Sequence, residues 1–205
     1  MPLSSFAQES ELGNWYLLFG NKKIKNKFNW HHELQYRNYN FVGDLEQLLL
    51  RTGIGMKVAD NSNLLLGYGF IRSENYNSAS EKSVVNEHRI YQQFISKQNI
   101  GQTRIQHRYR FEQRWTPDLF RLRLRYFLGI NIPLWKDETT PKEVYFSIYN
   151  EIFLNTKADV FDRNRLYGGL GYRLNDKLRF ELGYMNQFLN GGNRDQLNMV
   201  CFFSW

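Results

Sequence analysis

TRIQHRYRFEQRW (Thr103–Trp115), TPDL (Thr116–Leu119) and FRLRLRYFLGINI (Phe120–Ile132) form the stretch that decides the fold. In the first run Thr103, Ile105, His107, Tyr109, Phe111, Gln113 and Trp115 share one face, and Arg104, Arg108, Arg110, Glu112 and Arg114 share the other. The second run sets Phe120, Leu122, Leu124, Tyr126, Leu128, Ile130 and Ile132 against Arg121, Arg123, Arg125 and Phe127. Strict alternation is the period of a strand, so the stretch predicts a hairpin with one apolar and one arginine-rich face. Its turn predicts the register: Arg114 opposite Arg121, Glu112 opposite Arg123, Arg110 opposite Arg125. Opposed arginines repel, and that face needs neighbouring carboxylates, water or an anion.

A soluble sandwich and an outer-membrane barrel both give this alternation, with apolar rows facing a core in one and lipid in the other. Strand length separates them. Soluble strands run about 5 to 6 residues, a tilted membrane strand needs about 9 to 11, and both runs reach that length. Similar runs recur. Phe28–Arg37, Gln47–Met56, Leu64–Phe70, Glu87–Phe94, Val144–Leu154, Arg165–Leu174, Leu178–Phe188 and Gln196–Trp205 alternate, and Trp15–Phe19 is a shorter one. These are eleven runs. Bacterial single-chain barrels use even numbers, so twelve strands are expected, with ten as the alternative and the miscount placed before Leu45. The expected fold is an all-β, closed, antiparallel up-and-down transmembrane barrel with an arginine-rich interior. Ser73–Val85 and Pro133–Lys142 read as connections, and Asn150 breaks an otherwise apolar outward row.

Lys and Arg number 27 against 20 acids, a net charge of +7. The arginines occupy alternate strand positions with no recognition helix, which argues against nucleic acid as a partner. A mean hydropathy of −0.59 excludes a transmembrane helix but not a barrel with a polar lumen. Aromatics at 17% suit interfacial girdles. Cys201 is the only cysteine, so neither an internal disulfide nor a cysteine metal cluster is available. Pro2–Gln8 resembles the tail of a secretory signal, which divides the chain into a remnant and lead-in at 1–12 and one barrel domain at 13–205. The last strand ends in Phe203 and Trp205, an aromatic ending like the signal read by the outer-membrane barrel assembly machinery.

HRYRFEQRW (His107–Trp115), RLRLRY (Arg121–Tyr126), YNEIFLN (Tyr149–Asn155) and FDRNRLYGGLGYRLNDKLRFELGYMNQ (Phe161–Gln187) resemble the bacterial family called domain of unknown function 2490, a set of predicted outer-membrane barrels. The resemblance spans nearly the whole chain after residue 12. It implies the barrel fold and the outer membrane of a Gram-negative bacterium, with membrane lipid and the assembly machinery as partners. It carries no activity.

The expected lumen lining is Arg104, Arg108, Arg110, Arg114, Arg121, Arg123, Arg125, Arg165, Arg173 and Arg179, with Arg37, Arg51 and Arg89 on the same face. Glu87, Glu112, Glu151 and Glu181, with Glu33, are the expected counter-charges. Two functions follow. Arginine and glutamate meet across a narrow lumen and close it, giving a structural or adhesive barrel. Alternatively the excess of guanidinium groups makes a narrow pore for small anions or acidic oligosaccharides. A lipid hydrolase is the third class; it needs an outward hydroxyl nucleophile beside a base, and neither His88 nor His107 has a serine placed next to it. His31 and His32 are adjacent on a strand and point to opposite faces, so no metal or cofactor is expected.

Overall fold

A computed structural model describes residues 12–77, 81–157 and 159–205. Their regular structure is all strand: β1 (Leu12–Lys25), β2 (Phe28–Asn38), β3 (Leu45–Ala59), β4 (Ser62–Tyr76), β5 (Lys82–Ile100), β6 (Thr103–Trp115), β7 (Phe120–Lys136), β8 (Glu143–Asn155), β9 (Phe161–Arg173), β10 (Leu178–Leu189) and β11 (Gly192–Ser204). Each strand pairs antiparallel with the next, and β1 pairs with β11 to close the barrel. The ladder has no open edge, which removes the unpaired backbone groups of a sheet margin.

The expected twelve strands, and the alternative ten, are corrected to eleven among the described residues. Parity binds only a barrel whose first and last strands are antiparallel. Here they run parallel, with Leu12 against Asp195 through to Asn21 against Ser204, and an odd number closes. The miscount placed before Leu45 does not exist among the described residues. Trp15–Phe19 is the middle of a 14-residue strand, and it turns into β2 at Asn26, whose φ of 49° lies in the left-handed region that asparagine tolerates. The closing geometry puts the start of β1 and the end of β11 at opposite rims. One rim carries the β2–β3, β4–β5, β6–β7, β8–β9 and β10–β11 turns, and we call it the upper rim.

The central hairpin has the expected register: Arg114 faces Arg121, Glu112 faces Arg123 and Arg110 faces Arg125. Its loop is Thr116–Leu119, closed by the Thr116 amide donating to the Leu119 carbonyl at 2.9 Å. Two of the expected connections, Ser73–Val85 and Pro133–Lys142, are shorter in the structure. Ser73–Tyr76 and Lys82–Val85 are paired strand, from Ser73 against Val85 to Tyr76 against Lys82. Lys82 binds Asp44 at 2.5 Å and the Leu45 carbonyl at 2.7 Å, so polar side chains hold this rim where no hydrophobic period marks it. β7 likewise continues to Lys136 through a bulge between Pro133 and Trp135. The proposed signal remnant lies outside the described residues.

Burial follows the alternation. On β3, Leu49 and Arg51 are buried while Leu50 and Ile54 are exposed; on β8, Tyr145, Glu151 and Phe153 are buried. The outward break at Asn150 is satisfied by its neighbour: Asn150 donates to Asn164 at 2.7 Å and to the Arg165 carbonyl at 3.1 Å, and Asn164 donates back at 3.1 Å.

Candidate functional site

The buried inner wall of β5 to β8 is organised around Glu112, which is 0% exposed. Its Oε2 accepts from Arg123 at 2.6 and 3.0 Å and its Oε1 from Arg125 at 2.7 Å. Arg110 and Arg89 stand 3.6 and 3.9 Å away, so four guanidinium groups surround one carboxylate. Arg125 also donates to Glu151 at 2.6 and 3.0 Å, and Arg108 reaches the same oxygen at 2.7 Å. Arg108 is on β6 and Glu151 on β8, so this bond passes over the inner face of β7. A second pair does the same, Arg104 of β6 to Glu143 of β8 at 2.7 Å.

Opposed arginines are tolerated because each pair has a carboxylate beside it; Arg110 and Arg125 both approach Oε1 of Glu112, at 3.6 and 2.7 Å. Arg110 donates to Gln93 on β5 at 2.6 and 2.8 Å, while Arg125 turns to Glu151 on β8. Arg114 forms a two-pronged bond to Glu87 at 2.7 and 2.9 Å, while Arg121 is exposed at the upper rim. Arg173 goes to Glu143 at 3.3 Å, and its opposite, Arg179, stacks on Phe202 at 3.9 Å. Arg89 binds Glu87, and Arg51 reaches Glu33 at 2.5 Å. Two-pronged and charge-assisted bonds of this kind are the strong class of protein hydrogen bond.

The wall of β9 to β11 and β1 is different. Trp15, Leu17, Tyr167, Met185 and Val200 form one buried cluster, joined by Phe19, Tyr149 and Phe202. Glu181 lies at its margin, where the Tyr145 hydroxyl donates to it at 2.8 Å; no arginine is within 4.0 Å of it among the described residues. Gly171 faces Glu181, and the room it leaves is taken by the Tyr145 ring; Gly183 and Gly169 make room for Tyr167 in the same way. Arg165 stacks near Trp15 and Phe153, at 4.9 and 4.7 Å.

The other singled-out residues fall as follows. His31 approaches Glu33 at 3.8 Å, whereas His32 lies among Phe203 and Trp205, at 5.1 and 4.8 Å between ring centres. Phe203 and Trp205 stack at 4.8 Å, and His32 reaches them across Gly20 of β1, so the aromatic ending is gathered over the closing seam. Among their hydrogen-bonding partners His88 has Tyr68 at 2.6 Å and His107 has Tyr126 at 2.9 Å.

Sequence reading missed Glu143, Asp162 and Gln187. Glu143 continues the inward series 145, 147, 149 and 151 by one step, and it was lost because β8 was started at Val144. Gln187 lies within the Leu178–Phe188 run and carries no charge to single it out, yet it accepts from Arg165 at 2.8 Å. Asp162 binds Arg123 at 2.9 Å and is out of phase because the β8–β9 register shifts at Phe153 and Leu154. No periodicity reports a bulge of that kind.

An uncharacterized protein of Methylorubrum extorquens is 33% identical over 165 residues, covering 76% of this chain and 69% of its own. The family model described as protein of unknown function (DUF2490) matches residues 12–198. The chain therefore belongs to the DUF2490 family.

Proposed function

We propose that the protein is an outer-membrane barrel of a Gram-negative bacterium whose arginine-rich lumen is closed by its own ion pairs, and that its role is structural or adhesive rather than conductive. The observation that carries this reading is the bonding of Arg125 to Glu112 on one side and Glu151 on the other while all three are buried. With Arg108 reaching over β7 to Glu151, these guanidinium groups are engaged along the wall and not free to meet an incoming anion. A pore lined by the same arginines is the competing reading, and it requires guanidinium groups free to meet an incoming anion.

Membrane placement rests on the outer surface. Strands run from 11 to 19 residues, at or above the ~9 to 11 that cross a bilayer. Leu66, Leu170 and Leu182 are 60%, 56% and 54% exposed, and comparable residues appear on almost every strand. An apolar surface of this extent on a water-soluble protein is an aggregation hazard. Outward asparagines and glutamines are paired with each other, as in Asn150 with Asn164 and Gln92 with Gln113 at 3.0 Å, which suits a medium without water.

The test is refolding into vesicles containing brominated phospholipid. Quenching of the outward Trp30, Trp115, Trp135 and Trp205, with buried Trp15 spared in single-tryptophan variants, is the expected result. A protein that stays out of the vesicles and is not quenched sinks the membrane reading.

A further inference from the structure

The β1–β2, β3–β4, β5–β6, β7–β8 and β9–β10 turns make up the lower rim. Nine of the eleven lysines lie inside these turns or within four residues of them, and all nine are exposed. Two of the nine reach a carboxylate: Lys57 has Asp60 at 2.8 Å and Lys136 has Glu143 at 3.9 Å. The other seven have none within 4.0 Å among the described residues. The acids of the turns themselves are Asp60, Asp137, Glu138 and Asp176, of which Asp137 is held by the amides of its own loop. On the inner wall nearby, Glu143 is already shared by Arg104 and Arg173. The upper rim is balanced by comparison. There Lys82, Arg72, Arg163 and Arg194 each have a carboxylate within 4.0 Å, leaving Lys157 and Arg121.

The surplus is densest at the β1–β2 turn, which carries Lys22, Lys23, Lys25 and Lys27. Alternation alone would put Lys25 on the inward face with Lys23. A bulge between them adds one residue to β1, so Lys25 pairs with outward Phe28 just as Lys22 pairs with outward Trp30. The turn is tied to β3, where the Lys57 amide donates to the Lys27 carbonyl at 2.7 Å. Between turn and strand lies an outer groove of about 420 Å³, lined by Lys25, Asn26, Lys27, Phe28 and Met56. Phe28 and Met56 are register partners, 46% and 39% exposed, and Trp30 with Ile54 continues the apolar surface toward mid-barrel. The groove therefore offers ammonium groups on its rim side and apolar side chains on its barrel side. No carboxylate is among its lining residues. A free anion or a polyanion would leave the apolar floor unused, whereas an amphiphile with a negative head and an apolar tail matches both sides.

We propose that the lower rim docks anionic glycerophospholipid, and that the groove seats one molecule with its phosphate at Lys25 and Lys27 and its first methylenes on Phe28 and Met56. Each lysine near an anionic headgroup strengthens the attraction about 5-fold. The inference rests on the membrane placement proposed above and adds to it the charge of the lipid and the rim that meets it.

The test uses two single-tryptophan variants of the full chain refolded into vesicles, one keeping Trp30 beside the groove and one keeping Trp115 at the upper end of β6. Brominated phosphatidylcholine alone is expected to quench both; quenching of neither removes the membrane placement and the lipid site with it. In phosphatidylcholine vesicles holding a minor fraction of brominated phosphatidylglycerol, Trp30 is expected to prefer the anionic lipid by at least about 5-fold, the contribution of one lysine, and Trp115 to show almost no preference. Combining Lys22→Gln, Lys25→Gln and Lys27→Gln is expected to abolish the preference at Trp30, and so is ~1 M salt, which screens charges beyond about 3 Å. Arg121→Gln at the upper rim is the control and is expected to leave it unchanged. Equal preference at the two tryptophans, or a preference that survives the triple variant, overturns the site. Displacement of the brominated lipid from Trp30 by lipid A, where unlabelled phosphatidylglycerol displaces none, overturns the choice of glycerophospholipid.

Discussion

The two walls of the lumen fill the same kind of space with opposite chemistry. From β5 to β8 the filling is guanidinium and carboxylate, with Glu112 touching four arginines. From β9 round to β1 it is rings and thioether, with Tyr167 met at 4.6 Å by Tyr149 at the edge of the other wall and with Met185 beside them. A buried charge is held in place by its partners, and a ring by the glycines that make room for it. The first wall is therefore sensitive to neutralisation and the second to added bulk.

The largest expected contrast is between two glutamates. Glu112→Gln leaves Arg123 and Arg125 buried beside an uncharged amide and is expected to cost about 3 to 5 kcal/mol, the scale for breaking a buried ion pair. Glu181 is met by the hydroxyls of Tyr145 and Ser147 and by no arginine within 4.0 Å among the described residues, and Glu181→Gln keeps an acceptor there, so a change within about 1 kcal/mol is expected. Urea unfolding of the refolded barrel measures both, and equal losses would erase the distinction between the walls.

Glycines give the next contrast. A Cβ at Gly171 meets the Tyr145 ring, and Gly171→Ala is expected to cost about 1 to 3 kcal/mol by overpacking. A Cβ at Gly69 meets the flexible stem of Arg51 at 3.1 Å, which can shift, so Gly69→Ala is expected to cost under about 1 kcal/mol on the same scale. A larger loss at Gly69 would mean that the arginine network is as rigid as the aromatic wall.

On the outside, Asn150→Leu strands the Asn164 amide and is expected to cost about 1 kcal/mol, with the Asn150→Leu, Asn164→Leu double variant recovering most of it. Failure of the double variant to recover would show that these polar groups meet water instead of lipid.

The smallest effect lies in the loop between β7 and β8. Asp137 accepts from the Thr139 and Thr140 amides at 2.8 and 2.9 Å and from the Thr139 hydroxyl at 2.9 Å, and these bonds hold its carboxyl down at about 2. A depressed carboxyl contributes stability that is complete above its unfolded value of about 4 and lost as pH falls through the folded value. Loop order, followed by amide exchange at Thr139 and Thr140, is expected to weaken toward pH 2 in wild type and to show no such dependence in Asp137→Asn.

Much of this was legible in the chain. Alternation gave the strand faces, and one short turn gave the register of Arg110, Glu112 and Arg114 against Arg125, Arg123 and Arg121. What escaped follows from where periodicity is silent. The strand ends at Ser73–Tyr76 and Lys82–Val85 carry no alternation of apolar and polar residues, with Val84 and Val85 side by side, so no period announces them. A rule of even parity overrode a correct count of eleven runs because nothing in a strand's own sequence reveals a parallel partner. Asp162 enters the network through a bulge, and Glu181 keeps company with Tyr145 because side-chain reach across a lumen depends on curvature, which alternation does not encode.

The most direct test of the closed lumen is single-channel recording of the refolded protein in a planar bilayer under a salt gradient. A folded, inserted and silent barrel is the expected result. Steady anion-selective current, reduced when Arg110, Arg123 and Arg125 are replaced by Ala, would contradict it and establish the same arginines as the lining of a pore.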